Sequence, residues 1–227
     1  MNVMDASELY DPEFRELIKS KNPTIIIPVG SLEQHGAHLP ITTDSDIVTE
    51  IASRLAKKCG FIVFPTISYG VSHEHYPLFN TSVDLGHWLE EILNSLTENS
   101  VKSVVILNGH HGNERSIPDV WFSDGELRVY SYWRFMKHEF DHAGFVETSL
   151  MLAISDKVKM KKAKKGLITK GLSEKEIQRI KKLSTQPGGF PQVEKNGVWG
   201  DPTGATKKDG EKFLAEIVRN LAKECQS

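Results

Sequence analysis

Nine histidines punctuate this 227-residue chain, and all but His87 fall in close pairs: His35 and His38, His73 and His75, His110 and His111, His138 and His142. Imidazole titrates near neutral pH and ligates divalent metals, so histidines with carboxylates nearby point to metal-assisted or acid–base chemistry. Glu33 and His35 are two residues apart, a spacing that turns both side chains to one side of an extended segment and suits chelation. Asp44 follows at the start of a helical pattern, after the rigid Pro40 segment. There a carboxylate can cap the helix and still turn one oxygen toward a cation. His110 stands in Gly109-His110-His111-Gly112, where missing Cβ atoms let backbone and ligand approach closely. Oxygen and imidazole donors without thiolate suit Zn²⁺, Mn²⁺ or Fe²⁺. Two carboxylates and two imidazoles could hold two divalent ions if Asp44 bridges them.

Each piece has an ordinary meaning by itself. Glu33 and His35 fit a solvated loop, Asp44 fits a helix N-cap with Asp46 as its rival, and the Asn-Gly and Gly-Asn pairs around His110 fit turns. A competing motif lies downstream. His138-Glu139-Phe140-Asp141-His142 matches H-E-x-x-H, the zinc-peptidase pattern of two histidines one helical turn apart, but Ala143-Gly144 follows at once and interrupts the helix it requires. His73-Glu74-His75 reads first as a polar loop, with His75 kept as a candidate substrate contact alongside His111. The six lysines between Lys157 and Lys165 read as a solvated face, and Gly197 to Thr203 as a structural turn. Cys59 is expected to pack a helix end.

The elements that must position these residues follow from apolar runs alternating with helical patterns, the mark of βαβ units and a parallel sheet. Thr24 to Val29, Phe61 to Ile67, Lys102 to Leu107 and Glu126 to Trp133 read as strands. Helices are expected over Ser45 to Lys58, His87 to Glu98, Phe145 to Ile154, Ser173 to Leu183 and Lys207 to Glu224. Right-handed crossovers place them on both faces of the sheet, giving a single-domain, three-layer α/β/α fold over residues 1–227. Ligands in such sheets bind beyond the carboxyl ends of the strands, which is where Glu33, His35, Asp44 and His110 all fall.

Composition removes other classes. Lys and Arg number 28 against 30 Asp and Glu, so no bulk positive field recruits nucleic acid or an acidic membrane. No stretch approaches the roughly 20 apolar residues that span a bilayer. The opening MNVMDASELYDPEF lacks the basic and apolar regions of a secretory signal, and two distant cysteines form no disulfide framework. The expectation is a cytoplasmic protein. A dinucleotide-binding enzyme is disfavoured because no G-x-G-x-x-G follows the first strand.

Four separated segments together resemble the creatininase family: Pro28-Val29-Gly30-Ser31-Leu32-Glu33-Gln34-His35-Gly36 through Asp44, Asn108-Gly109-His110, His142-Ala143-Gly144-Phe145-Val146-Glu147-Thr148-Ser149, and Gly197-Val198-Trp199-Gly200-Asp201-Pro202-Thr203. The resemblance implies an α/β/α fold with a two-metal centre, cytosolic homo-oligomers from dimer to hexamer, and hydrolysis of non-peptide C–N bonds in small-molecule amides. It implies metal binding by Glu33, His35, Asp44 and His110, with Asp44 bridging, and makes Trp199 a pocket or subunit-interface residue. Creatinine hydrolases are similar around Ser131-Tyr132-Trp133, so Trp133 is expected in the pocket. They differ by a metal-binding glutamate two residues after the loop histidine, where this chain has Gly112, and by a tryptophan where it has His138. Members without that glutamate include a formamide hydrolase of archaeal flavin and deazaflavin biosynthesis and a maturation peptidase of a peptide-derived cofactor. Glu147 is then the candidate to complete the second metal's shell or to move a proton. His142 is the expected proton shuttle to the leaving nitrogen. A formamidopyrimidine ribonucleotide is the preferred substrate, with creatinine and a cofactor-precursor peptide as alternatives. A non-catalytic assembly subunit would predict a damaged ligand set, and the set is complete.

Overall fold

A computed structural model of the chain describes residues 4–77, 84–117, 120–139 and 141–226. Five strands, β1 (Met4–Asp5), β2 (Ile25–Val29), β3 (Ile62–Val63), β4 (Ser103–Asn108) and β5 (Glu126–Ser131), form a sheet in the order β1-β3-β2-β4-β5. Every pairing is parallel. The helices are α1 (Asp11–Lys21), α2 (Thr43–Cys59), α3 (Leu85–Glu98), α4 (Phe145–Ile154), α5 (Glu174–Ser184), the short α6 (Phe190–Val193) and α7 (Lys207–Gln226).

The pleat of the central strands sorts the apolar residues into two layers. Ile26, Val105 and Leu107 face one side, where they pack with Ile47, Ile51 and Leu55 of α2, Leu150 of α4, and Leu214, Ile217 and Leu221 of α7. Ile25, Ile27, Val104 and Ile106 face the other, with Ile18 of α1 and Leu85, Leu89 and Leu93 of α3. Alternate residues of a strand point to opposite faces, so a strand buried on both must be apolar throughout; β2 reads IIIPV and is wholly buried. Cys59 ends α2 and packs against the first layer.

Two expected strands are shorter than their apolar runs. Pro65 cannot donate to the ladder, so β3 stops at Val63 and the chain returns to β2 only at Ile67, whose N–H donates to the Pro28 carbonyl (2.9 Å). Beyond Ser131 the last strand tightens into a 3-10 turn, Tyr132–Phe135. Neither β1 nor α1 was expected from the apolar pattern. Among the described residues no helix is long and apolar enough to cross a membrane.

Candidate active site

Successive strands leave β2 in opposite directions, β3 to one side and β4 to the other, and the crevice at such a switch point is the usual ligand site of an open parallel sheet. The exits of β2 and β4 meet there. Asn113, fully buried, ties three segments together: its amide donates to the Gly30 carbonyl (3.0 Å) and Asn108 Oδ1 (3.2 Å), and its Oδ1 accepts from the Val71 N–H (2.9 Å). Asn108 Oδ1 also accepts from the His110 N–H (3.0 Å). The asparagines that read as turn residues are therefore the frame of the site.

Asp44 lies at the centre. It is the second residue of α2, not its cap: Thr42 takes the cap position, and Asp46 turns outward to Thr42 Oγ1 (3.2 Å) and Lys157 Nζ (3.3 Å). Asp44 Oδ1 is 3.2 Å from His35 Nε2, and Asp44 Oδ2 is 3.1 Å from His110 Nδ1. Glu147, on the first turn of α4, brings Oε2 within 3.4 Å of His35 Nε2. Glu33 brings Oε2 within 3.1 Å of His110 Nε2, and its Oε1 lies 3.5 Å from both His75 Nε2 and His142 Nδ1.

Backbone carbonyls, which can only accept, fix the outward-facing nitrogens as donors. His110 Nε2 donates to Val71 O (2.8 Å), His142 Nε2 to Gln34 O (2.9 Å), and His35 Nδ1 to Glu33 O (3.4 Å). The remaining nitrogens of His35 and His110 thus turn lone pairs toward carboxylate oxygens, an arrangement that needs a cation or a proton between them. Both oxygens of Glu33, Asp44 Oδ2 and His35 Nε2 are buried with no hydrogen-bond partner. Buried polar atoms are ordinarily paired, and exceptions call for a ligand or a functional reason.

The titration of the metal-free groups follows from this crowding. Burial lowers the His110 pKa, but the Glu33 and Asp44 carboxylates outweigh it and push it up to about 10. His35 is likewise raised against burial, by Asp44 and Glu147. Burial pushes Glu33 well above the usual carboxylate range despite His110, whereas His35 and His110 hold Asp44 below that range despite its burial. His142 is driven well down by burial and by the neighbouring imidazoles of His35 and His75, and remains neutral.

A cavity of about 510 Å³ opens onto the cluster, lined by Glu33, Asp44, His110, His142 and Glu147 and walled by Phe190, Trp199 and α5. His111 lines it with an exposed ring. Trp133 is not among the lining residues; it stacks behind His111 at 6.0 Å between ring centroids. His75 is more deeply set than a substrate contact at the rim, being buried against Glu33, and Glu74 joins the lining beside it. The polar-loop reading of His73-Glu74-His75 is therefore corrected: the 3-10 turn they form docks onto the site. The H-E-x-x-H segment forms no zinc-binding helix, as the Ala143-Gly144 interruption implies. His138 is exposed outside any helix and rests on Phe145 and Phe213, while Phe140 lies outside the described residues. Asp141 of that motif instead accepts from the Val146 N–H (3.2 Å) at the start of α4, and burial with the nearby Glu147 raises its pKa to about 7. Asp141, Asn113 and Glu74 carried no distinguishing sequence signal beyond their closeness to histidines or glycines.

This is the layout of an α/β/α enzyme with its site at the carboxyl edge of the sheet. Residues 7–225 match the family model described as Creatininase: Creatinine amidohydrolase. The mycofactocin precursor peptide peptidase of Mycolicibacterium smegmatis is 33% identical over 219 residues, 90% of this chain and 85% of that protein. The 2-amino-5-formylamino-6-ribosylaminopyrimidin-4(3H)-one 5'-monophosphate deformylase of Methanosphaera stadtmanae is 33% identical over 152 residues, 60% of this chain and 62% of that protein. A solved structure described as Creatininase Mn shares the fold, with a TM-score of 0.82 at 24% identity over 99% of this chain and 97% of that one. The chain belongs to the creatininase family. It is a hydrolase acting on carbon–nitrogen bonds.

Proposed function

We propose that the cluster is a two-metal amidohydrolase centre, with Glu33, Asp44 and His110 holding one divalent ion and His35, Asp44 and Glu147 the other. The observation that carries this reading is that each of these triads brings its ligand atoms within 4.8 Å of one another, and the two share Asp44, each of whose oxygens faces a different imidazole. The donor set fits Zn²⁺, Mn²⁺ or Fe²⁺. Bound there, the ions would supply a polarised amide carbonyl and a water acidified toward neutral pH.

The chain's own residues do the rest. The His142 Nε2 donor is held by the Gln34 carbonyl, so its free Nδ1 is the atom that takes a proton from the attacking water and returns it to the leaving nitrogen. Its lowered pKa leaves the imidazole unprotonated before the reaction. Glu147 is better suited to ligation than to shuttling, because the Ala143 N–H donates to its Oε2 (2.6 Å) and fixes the carboxylate. Phe190, Trp199 and Ile177 supply apolar wall to the cavity.

For the substrate we favour a formamidopyrimidine ribonucleotide. Lys181 is the one Lys or Arg among the described cavity-lining residues, and an ammonium at the rim suits a phosphate. The peptide alternative draws support from the higher identity at which a mycofactocin peptidase matches over most of this chain, 33% against 28% for a deformylase of similar coverage. Metal-loaded protein incubated with the formamidopyrimidine ribonucleotide, creatinine and a short peptide tests the choice. Formate release from the first supports it, and turnover of creatinine or the peptide alone overturns it.

A further inference from the structure

The turn after β3 touches His110 twice. The Val71 carbonyl accepts from its Nε2 (2.8 Å), and Glu74 Oε1 lies 3.8 Å from the same nitrogen. Val71 is itself pinned by Asn113, so the turn is docked rather than draped. Glu74 is only 14% exposed, and its ligand atom lies within 4.8 Å of those of Glu33 and His75. Glu33, buried and with both oxygens unpartnered, is the side chain these groups converge on.

Position 112 explains why Glu74 can be there. A Cβ on Gly112 would collide with the Val71 carbonyl oxygen and His110 Nε2, and would come within 2.9 Å of Glu74 Oε1. The docked turn and a side chain at position 112 are mutually exclusive. We propose that Glu74, whose ligand atom groups with those of Glu33 and His75, is a further carboxylate ligand to the ion that Glu33 holds, reaching it from the turn after β3. This inference rests on the two-metal reading above.

The test titrates metal-free protein with Mn²⁺ and counts bound ions by equilibrium dialysis. Wild type should bind two ions per chain. Glu74→Gln should keep one and bind the other at least about tenfold more weakly, with Glu74→Asp intermediate and Glu139→Gln, also on the cavity lining, unchanged. The metal-free melting temperature of Glu74→Gln should equal or exceed that of wild type, since a repelling carboxylate is gone. Two ions held by Glu74→Gln at wild-type affinity overturns this inference and leaves the two-metal reading standing. Equal destabilisation of metal-free Glu74→Gln and Glu74→Asp overturns it in favour of a structural role. Wild type that binds fewer than two ions overturns both.

Discussion

Within β2 and β4, Ile25, Ile26, Ile27, Val104, Val105 and Ile106 are as buried as side chains can be, and every one of them is apolar. A few residues further along the same two segments, Glu33, His35 and His110 are buried almost as completely. The first region obeys the rule that interiors are apolar and close-packed. The second breaks the rule that buried polar atoms find partners. Taking a carboxylate out of water costs several kcal/mol unless something opposite in charge sits beside it. A chain that places Glu33, Asp44 and Glu147 together without a lysine or arginine partner among the described residues carries the negative charge that the proposed cations would balance. One region is built for stability and the other for a ligand.

Substitutions should separate the two. The largest effect is expected at the site but not on stability: Glu33→Gln should lower kcat/KM for amide hydrolysis by about 10³-fold or more, while the metal-free melting temperature stays level or rises. Loss of stability with activity retained would merge the two regions. Ile106→Ala, in the sheet layer, should do the reverse, costing about 3 kcal/mol in urea unfolding with metal content per folded chain unchanged. Asn113→Ala sits on the boundary. Leaving the Gly30 carbonyl and the Val71 N–H unpaired should cost about 2 kcal/mol and also weaken metal binding, because the β3 turn is no longer tied to the exits.

The smallest effect concerns pH. In the metal-free protein His110 holds its proton up to about pH 10, so an ion taking its place must expel it. Metal affinity should rise by about tenfold per pH unit for each proton released, across the range below that value. Calorimetry in buffers of different ionisation enthalpy reads the proton count directly, and no release would show that His110 is not displaced from its proton by metal.

Legibility in the sequence followed the same division. Buried strands announce themselves as β-branched runs, and the helices by apolar spacing; Phe145–Ile154 has the expected bounds. What the pattern lacked was β1, two half-buried residues, the helix α1, and the early ends of β3 at Pro65 and of β5 at Ser131. At the site, Glu33, His35, Asp44 and His110 were readable because a parallel sheet brings strand exits together. Glu74, Asp141 and Asn113 were not. Their roles depend on where loops dock, and docking is set by single hydrogen bonds to Val71, Val146 and Gly30 that leave no periodicity behind. The same holds for the Val71 and Gln34 carbonyls that select the histidine tautomers.

The central claim is that Asp44 belongs to both halves of one two-metal centre, and metal content measures it most directly. Purified wild type reconstituted with Mn²⁺ or Zn²⁺ should carry two ions per chain, Glu33→Gln and Glu147→Gln one each, and Asp44→Asn none. An Asp44→Asn protein that is folded and keeps both ions would contradict the account.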